Sequence, residues 1–216
     1  MTLLFDPRPV TLMGELVRLE PLAPRHAAEL FEAGSDPDIW RYMPVPPPTC
    51  SDDIARWIDQ SVAATASGVE VGFAVVDAAI GRAVGSTRFL DIRRGDRALE
   101  IGWTWIAPAA QRSAVNTESK LLLLAHAFEN LGAVRVQLKT DARNVPSQRA
   151  IERLGAVREG VLRRHKLCWD GHLRDTVYYS IIDAEWPLVR RRLLGFLGRT
   201  EYGHGNGSSA SETLLR

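Results

Sequence analysis

Two short polar segments carry residue types that could do chemistry, and each stands at the start of a predicted helix. The first is the run 111–117, between a buried strand and a long apolar helix. The second holds Asn144 and Ser147, three residues apart. Because the amino end of a helix offers unpaired N–H groups and a positive dipole end, the first segment suits an anion such as a phosphate.

Other kinds of catalytic centre find little support in the sequence. The two cysteines, Cys50 and Cys168, form no CxxC pair, and the histidines show no metal-ligand spacing. We therefore expect no disulfide framework and no metal site. No convincing Cys/His or Ser/His/Asp arrangement is present, which argues against a covalent enzyme intermediate.

Composition narrows the class of protein further. The 216 residues, 45% of them hydrophobic, are enough for one domain with a substantial core. The 27 Lys and Arg residues are balanced by 26 Asp and Glu, so no basic excess points to nucleic acid as a partner. No apolar run approaches ~20 residues and the first ten residues lack a signal-peptide pattern, so we expect no membrane partner and a cytoplasmic protein.

The elements that must position the two segments alternate between strands and helices. Period-two patterns and turn residues predict an antiparallel meander over 69–106, between an early strand and two late strands. Apolar faces at helical spacing predict the intervening helices, and Gly203 to Ser211 is expected to be disordered. These patterns predict an α+β fold. The predicted strands are 16–20, 72–76, 83–90, 99–106, 134–138 and 176–182, and the main helices are 51–68, 119–131, 147–154 and 186–197.

The first segment resembles a known binding turn. Gln111 to Thr117 stands where the GNAT superfamily of N-acyltransferases has its pyrophosphate-binding turn, with the pattern Q/R-x-x-G-x-G/A. Ala114 replaces the first glycine and Asn116 the second small residue; a methyl group at 114 is tolerable if its φ is negative. The following Asn-Thr-Glu-Ser-Lys-Leu-Leu-Leu, 116–123, is similar to that of ribosomal-protein N-terminal acetyltransferases.

The second segment strengthens this resemblance. Residues 141–156, followed by Glu-Gly-Val-Leu-Arg at 159–163, look like the N-x-x-S-x-x-x-x-x-x-x-G block of the family and its E-G-x-L-R sequence. Residues 174–180 and 185–187 also resemble the ribosomal-protein-alanine/serine N-terminal acetyltransferase subfamily, so the likeness covers roughly 14–198. Asn144 and Ser147 nevertheless have an alternative interpretation as turn and N-cap residues.

The resemblance implies a fold, a domain plan and a cofactor. The expected fold is a mostly antiparallel mixed sheet of about seven strands, splayed near the fourth and fifth and flanked by helices. The acetyltransferase domain would span 14–183, after an extension at 1–13 and before a helix at 184–199 and a disordered tail at 200–216. Acetyl-CoA is the implied cofactor. Its implied contacts are Trp105, Ile106, Gln111, Arg112, Ser113, Ala114, Val115, Asn116, Thr117, Asn144 and Ser147.

The family transfers the acetyl group directly to an amine, which must first lose a proton. Related enzymes often place a carboxylate near Glu100, which acts through water, so Glu100 is the candidate base; a solvated carboxylate paired with an arginine is the alternative. A backbone N–H of Trp105 or Ile106, at a bulge, would stabilise the oxyanion. Ser147 is the candidate proton donor to the thiolate, and Tyr178 and Tyr179 are its rivals.

The acceptor is expected to be an amine, either a protein N-terminus of the ribosomal-protein type or a small amine. It would enter between the proline-rich loop and the late hairpin, along aromatic and neighbouring side chains that could instead pack in the core. A homodimer is compatible with this plan. Two alternatives stay open: another acyl donor such as succinyl-CoA, marked by a basic residue such as Arg149 or Lys166, and a non-catalytic CoA-binding module. The candidate acceptor contacts are Trp40, Tyr42, Met43, Trp103, His165 and Trp169.

Overall fold

The computed structural model describes residues 5–200, in which eight strands form one mixed sheet. The spatial order is β1-β2-β3-β4-β5-β6-β8-β7. The predicted α+β architecture is confirmed, with one strand more than expected because a two-residue strand pairs at the edge. The strands are β1 (Leu12–Met13), β2 (Val17–Pro21), β3 (Val71–Asp77), β4 (Arg82–Arg93), β5 (Ala98–Ile106), β6 (Arg135–Asp141), β7 (Val157–Leu167) and β8 (Leu173–Ile182).

The centre of the sheet opens where its two parallel strands part. All neighbouring strands are antiparallel except β5 and β6, whose pairing covers only Ala98 to Glu100 against Arg135 to Gln137. Both strands continue beyond this point, to Ile106 and Asp141. The register between β4 and β5 shifts between Ser86 and Arg88, which marks a bulge in β5 that bends the strand away. The expected splay therefore lies between β5 and β6.

Helices cover both faces of the sheet. Alternate residues of β3 belong to separate apolar cores, Val71, Phe73 and Val75 to one and Ala74 and Val76 to the other, as period-two alternation requires. The first core holds residues of α3, α4 and α5, and the second holds residues of α1 and α2. The helices are α1 (Ala27–Ala33), α2 (Ser51–Ala66), α3 (Ala114–Ala125), α4 (Val145–Leu154) and α5 (Trp186–Phe196).

Capping bonds fix the helix starts, and α3 and α4 begin earlier than the sequence predicted. Helix α3 begins at Ala114, five residues before the predicted Ser119, because the Ser113 hydroxyl accepts a hydrogen bond from the N–H of Val115 and caps the helix. Helix α2 begins at Ser51, as predicted, and Cys50 is its N-cap residue. There the Asp53 carboxylate accepts from the N–H of Cys50, at 3.2 Å. In both cases a local side-chain bond, rather than apolar periodicity, sets the boundary.

Strand β1 and helix α5 lie towards the two ends of the described residues. Strand β1 lies in the segment expected to be an N-terminal extension and pairs with β2. The predicted C-terminal helix corresponds to α5, which packs on α3 through the first core. The tail expected to be disordered, 200–216, lies outside the described residues apart from Thr200. Within residues 5–200, every helix is too short or too polar to cross a membrane.

Candidate active site

The turn before α3 has the backbone form of an anion-binding loop. Arg112 adopts a left-handed φ of 58°, while Ala114 is the first helical residue and has a negative φ. The Gln111 side chain donates to the carbonyl of Ile106 at 2.9 Å, which ties the turn to the end of β5. The methyl group of Ala114 is thus compatible with this backbone, and the first-turn N–H groups of α3 lie beside the end of β5.

The side chains of the first turn of α3 have different partners. Val115 is buried in the core, and the Thr117 hydroxyl accepts a hydrogen bond from Arg153 at 2.8 Å. The Asn116 side-chain oxygen is buried, yet it accepts no hydrogen bond from any residue within 5–200. A buried acceptor without a donor is unfavourable, so Asn116 offers a position for an external N–H or O–H group.

Glu118 holds the start of α3 against the rest of the molecule. Its carboxylate is fully buried and accepts hydrogen bonds from the N–H groups of Leu16 and Val17, at 2.6 and 2.8 Å. Arg199 forms an ion pair with it at 2.5 Å. Gly14 makes this approach feasible, because a Cβ there would lie 2.6 Å from the Glu118 carboxylate. The start of α3 is therefore fixed by a buried charge.

Asn144 and Ser147 occupy the start of α4. Asn144 is the N-cap residue, and its side-chain oxygen accepts a hydrogen bond from the N–H of Ser147 at 3.1 Å. The alternative interpretation of this pair as a helix cap thus describes a contact that the structure contains. The cap uses the oxygen of Asn144, whereas the Asn144 amide nitrogen and the Ser147 hydroxyl form no hydrogen bond within residues 5–200.

Glu100 lies at the last paired position before β5 and β6 part. The residue is 2% exposed, and its carboxylate is 2.8 Å from the Lys139 ammonium and accepts from the Gln137 amide at 3.1 Å. The absence of a side chain at Gly102 leaves room for it, since a Cβ there would lie 2.7 Å from Glu100 Oε1. The alternative of a solvated carboxylate paired with an arginine is wrong, because the group is buried and its partner is a lysine.

A buried lysine stands behind the bulge of β5. The Lys120 ammonium donates to the Thr104 hydroxyl at 2.6 Å, and Thr104 is in turn 2.8 Å from the Thr87 hydroxyl. Burial lowers the pKa of Lys120 to about 7. The sequence analysis did not assign this residue a role; the available signal was a lysine directly before the apolar run 121–125.

Trp103 and Trp105 lie on the α2 side of the bulge. Trp103 has a φ of 50°, an unusual conformation for a bulky residue, and its ring lies 4.8 Å from the Arg88 guanidinium. Arg88 also stacks on Trp57 and is paired with Glu70 at 2.9 Å. These contacts pack Trp103 tightly, so the β5 bulge has little room to change its conformation.

Trp40 and Met43 belong with this packing. Trp40 is 1% exposed, its indole N–H donates to the carbonyl of Gly34, and its ring contacts Trp105 at 5.4 Å between centroids. Met43 is half-buried against the same apolar core. Both side chains therefore have a structural explanation, which is the alternative that the sequence analysis left open.

Tyr42, His165 and Trp169 lie nearer to the opening. The ring of Tyr42 is 5.7 Å from the Arg143 guanidinium, just after β6. His165 packs edge-on against Tyr178, with 5.7 Å between ring centroids. Trp169 is 54% exposed at the β7–β8 turn. Of the predicted acceptor contacts, Tyr42 and His165 thus border β6 and β8, and Trp169 lies at the hairpin tip.

The two rival proton donors lie on opposite faces of β8. Tyr179 is fully buried in the first core and its hydroxyl donates to Glu152 at 3.0 Å. Tyr178 pairs across the sheet with Lys139, whose ammonium lies 5.7 Å from the Tyr178 ring. Because Lys139 also contacts Glu100, only Tyr178 shares a face with the candidate base.

Comparisons with known proteins agree with this geometry. The family model for the acetyltransferase (GNAT) domain matches residues 17–157. A crystal structure of a GCN5-related N-acetyltransferase from Brucella melitensis superposes with a TM-score of 0.84 at 31% identity, covering 89% of this chain and 87% of that one.

Two further proteins add detail. The Bacillus subtilis protein YdaF, provisionally named a ribosomal N-acetyltransferase, is 35% identical over 91 residues, which are 42% of this chain and 49% of YdaF. The structure of Mycobacterium smegmatis RimJ in complex with CoA-disulfide has a TM-score of 0.74 at 24% identity, covering 88% of this chain and 96% of RimJ. At 24% identity, the likeness to RimJ supports a shared fold and no more.

Proposed function

Because the chain belongs to the GNAT acetyltransferase family, as the match over 17–157 shows, we propose that it acetylates the α-amine of a protein or peptide N-terminus. It is an N-acetyltransferase that uses acetyl-CoA. The acceptor class is supported by the 116–123 sequence, which resembles ribosomal-protein acetyltransferases, and by the name of YdaF. The proposal includes a cytoplasmic location, where ribosomal proteins are made.

The residues around the opening fit coenzyme A. The first-turn N–H groups of α3 would hold the diphosphate, with the Asn116 oxygen as an acceptor for a neighbouring donor of the cofactor. Beyond Glu100, β5 has no partner strand on the β6 side, so the backbone groups near Trp105 and Ile106 that face this side would bind the amide-rich pantetheine arm, apart from the Ile106 carbonyl, which accepts from Gln111. Bound acetyl-CoA would supply an acetyl group activated as a thioester.

The buried carboxylate of Glu100 carries the catalytic part of the proposal. An α-amine has a pKa of about 8, so much of the acceptor is protonated near neutral pH and must release a proton before it reacts. Glu100 stands where β5 and β6 part, and Lys139 and Gln137 fix its orientation. It would take this proton directly or through a water molecule.

Protonation of the departing thiol falls to the hydroxyl groups around the opening. Ser147, on the first turn of α4, and Tyr178, on the face of Glu100, are the two candidates. Neither the Ser147 hydroxyl nor the Asn144 amide nitrogen has a partner within residues 5–200, so both are available to the cofactor. Ser147 is our preferred donor because it lies beside the Asn144 cap in the cofactor signature.

A product screen tests this function. Purified protein would be incubated with acetyl-CoA and three acceptor sets: N-terminal peptides of ribosomal proteins, peptides with a blocked α-amine and a free lysine, and small amines such as polyamines and aminoglycosides. Mass spectrometry should find acetylation at free α-amines. Acetylation restricted to small amines would identify a small-molecule enzyme, and CoA binding without any product would identify a binding module.

A further inference from the structure

Arg174 is a buried cation that lacks an acidic partner. It is 8% exposed, and its Nε donates a hydrogen bond to the Thr176 hydroxyl at 3.1 Å. Across residues 5–200, no carboxylate oxygen lies within 4 Å of its guanidinium nitrogens. A charge removed from water is unfavourable unless it is paired, so a buried arginine is usually matched by a carboxylate or a phosphate.

A second cation stands directly across the hairpin. Lys166 of β7 is the register partner of Arg174 of β8, and like charges at directly opposite positions destabilise an antiparallel pair. Partial burial of Lys166 lowers the pKa of its ammonium, and the nearby charges of Lys139 and Arg174 lower it further. The hairpin thus concentrates positive charge where stability of the fold gives no reason for it.

The nearest acids are already engaged elsewhere. Glu100 is paired with Lys139 at 2.8 Å, and Asp141 is paired with Arg143 at the same distance. Each acid therefore has another cation in direct contact and acts on Arg174 only at longer range, so within residues 5–200 neither hairpin cation forms an ion pair of its own. An anion from outside the chain would neutralise the positive charge of Arg174 and Lys166.

The cation pair lies on the same strand face as the candidate base. Arg174, Thr176 and Tyr178 alternate along β8 and share one face, and Tyr178 pairs with Lys139, which contacts Glu100. Arg174 and Tyr178 are four residues apart, roughly 13 Å along the strand. An extended peptide spans this distance with about three or four residues, whereas a short dicarboxylic acyl group does not.

We infer that Arg174 and Lys166 form a carboxylate-binding site for an acidic side chain near the N-terminus of the acceptor peptide. The inference rests on the proposed function, because it takes the acceptor amine to lie at Glu100. The arginine provides two parallel N–H groups for the carboxylate, and the lysine ammonium adds a point charge. The enzyme would then select N-termini followed within about four residues by Asp or Glu.

Paired peptides test this site. Each pair differs only by glutamate or glutamine at one position from two to five, and kcat/KM is measured with acetyl-CoA for wild type, Arg174→Gln, Lys166→Gln and Arg191→Gln. Arg191 is an exposed arginine of α5 and serves as the matched control. We expect the acidic peptide to be preferred about tenfold at its best position, because the carboxylate would form charge-assisted hydrogen bonds that the neutral amide cannot match. The ratio should fall to about one in Arg174→Gln, part of the way in Lys166→Gln, and stay unchanged in Arg191→Gln.

Two further arms make the result specific. Succinyl-CoA replaces acetyl-CoA with the neutral peptides; a preference for succinyl-CoA that depends on Arg174, without a peptide preference, would overturn the assignment to the acceptor. Calorimetric binding of the paired peptides in the presence of coenzyme A reports on the site even if no peptide is acetylated, a result that would refute the proposed function alone. Equal affinity and equal rates for acidic and neutral peptides, or a preference that survives Arg174→Gln, would overturn the inference.

Discussion

The start of α3 and the β7–β8 hairpin border the same opening but handle charge in opposite ways. At α3 the buried carboxylate of Glu118 has an arginine and backbone N–H groups as partners, and the turn is closed by bonds to its own chain. At the hairpin, Arg174 and Lys166 face each other without an acid. Within residues 5–200, the buried charge at the start of α3 is therefore paired by the chain itself, whereas the charges of the hairpin have no acid in direct contact. Under our proposal, the first region holds the cofactor that the family shares and the second selects the acceptor.

The largest effect should come from removing the anchor at the cofactor end. Glu118→Ala leaves the N–H groups of Leu16 and Val17 without their acceptor and leaves Arg199 with the exposed Glu15 carboxylate as its remaining ion-pair partner. Breaking a buried ion pair costs about 3–5 kcal/mol, so unfolding in urea should show a loss of this order in the free energy of unfolding. Glu32→Ala removes an exposed ion pair with Arg82 and should change it by less than about 1 kcal/mol. Similar losses in the two variants would show that Glu118 is no anchor.

Lys120 is expected to reduce stability in a pH-dependent way. Its pKa is about 7 in the folded protein and about 10.4 in an unfolded chain. Below pH 7 both states carry the proton, so the folded state bears the full burial penalty; between pH 7 and 10 the penalty shrinks because the folded lysine is neutral. Lys120→Met should therefore stabilise the protein most at pH 6, by on the order of 4 kcal/mol less the lost bond to Thr104, and little at pH 10.

The measurement is the difference in free energy of unfolding between variant and wild type across this pH range. Arg191→Met, at an exposed position of α5, provides the control and should give a flat difference. A flat difference for Lys120→Met as well would mean that the amine is not held neutral by burial.

Glu100→Gln tests the candidate base, which we place between the start of α3 and the β7–β8 hairpin. Loss of a general base lowers the rate by about 10²-fold or more, and the loss should be greatest at low pH, where little acceptor is already deprotonated. Coenzyme A affinity, measured by calorimetry, should change little. Asp91→Asn is the matched control, because Asp91 also accepts from the Gln137 amide but is exposed. Equal activity of Glu100→Gln and wild type at every pH would remove Glu100 from the mechanism.

The smallest expected effect separates the two roles of Asn144. Asn144→Ala removes the cap of α4 and should cost about 1 kcal/mol of stability along with a weaker affinity for coenzyme A. Asn144→Ser keeps a capping oxygen but lacks the amide N–H groups, so it should restore stability and leave the affinity low. If serine restores both, Asn144 is only a cap.

Local patterns predicted most of the fold. The meander of β3, β4 and β5 followed from period-two alternation with turns between. The start of α3 was missed because the periodic apolar residues begin after its first turn, although Ser113 is an N-cap residue type. Trp40 was predicted as an acceptor contact with core packing as the alternative, and its buried indole, packed against Trp105, agrees with the alternative.

The acceptor end could not be predicted in the same way. The pairs that define it, Glu100 with Lys139 and Lys166 with Arg174, join strands whose register is not visible in a single sequence. Lys166 was named only as a marker of another acyl donor, and Arg174 only as part of a motif. Their juxtaposition depends on the β6–β8–β7 strand order, which places the last strand between two earlier ones.

A crystal structure of the protein with coenzyme A tests the account most directly. We predict the diphosphate against the first-turn N–H groups of α3 and the pantetheine arm between β5 and β6, with Glu100 and the β7–β8 hairpin on the side left open for the acceptor. A diphosphate bound elsewhere, with the β5–β6 opening filled by protein, would contradict it.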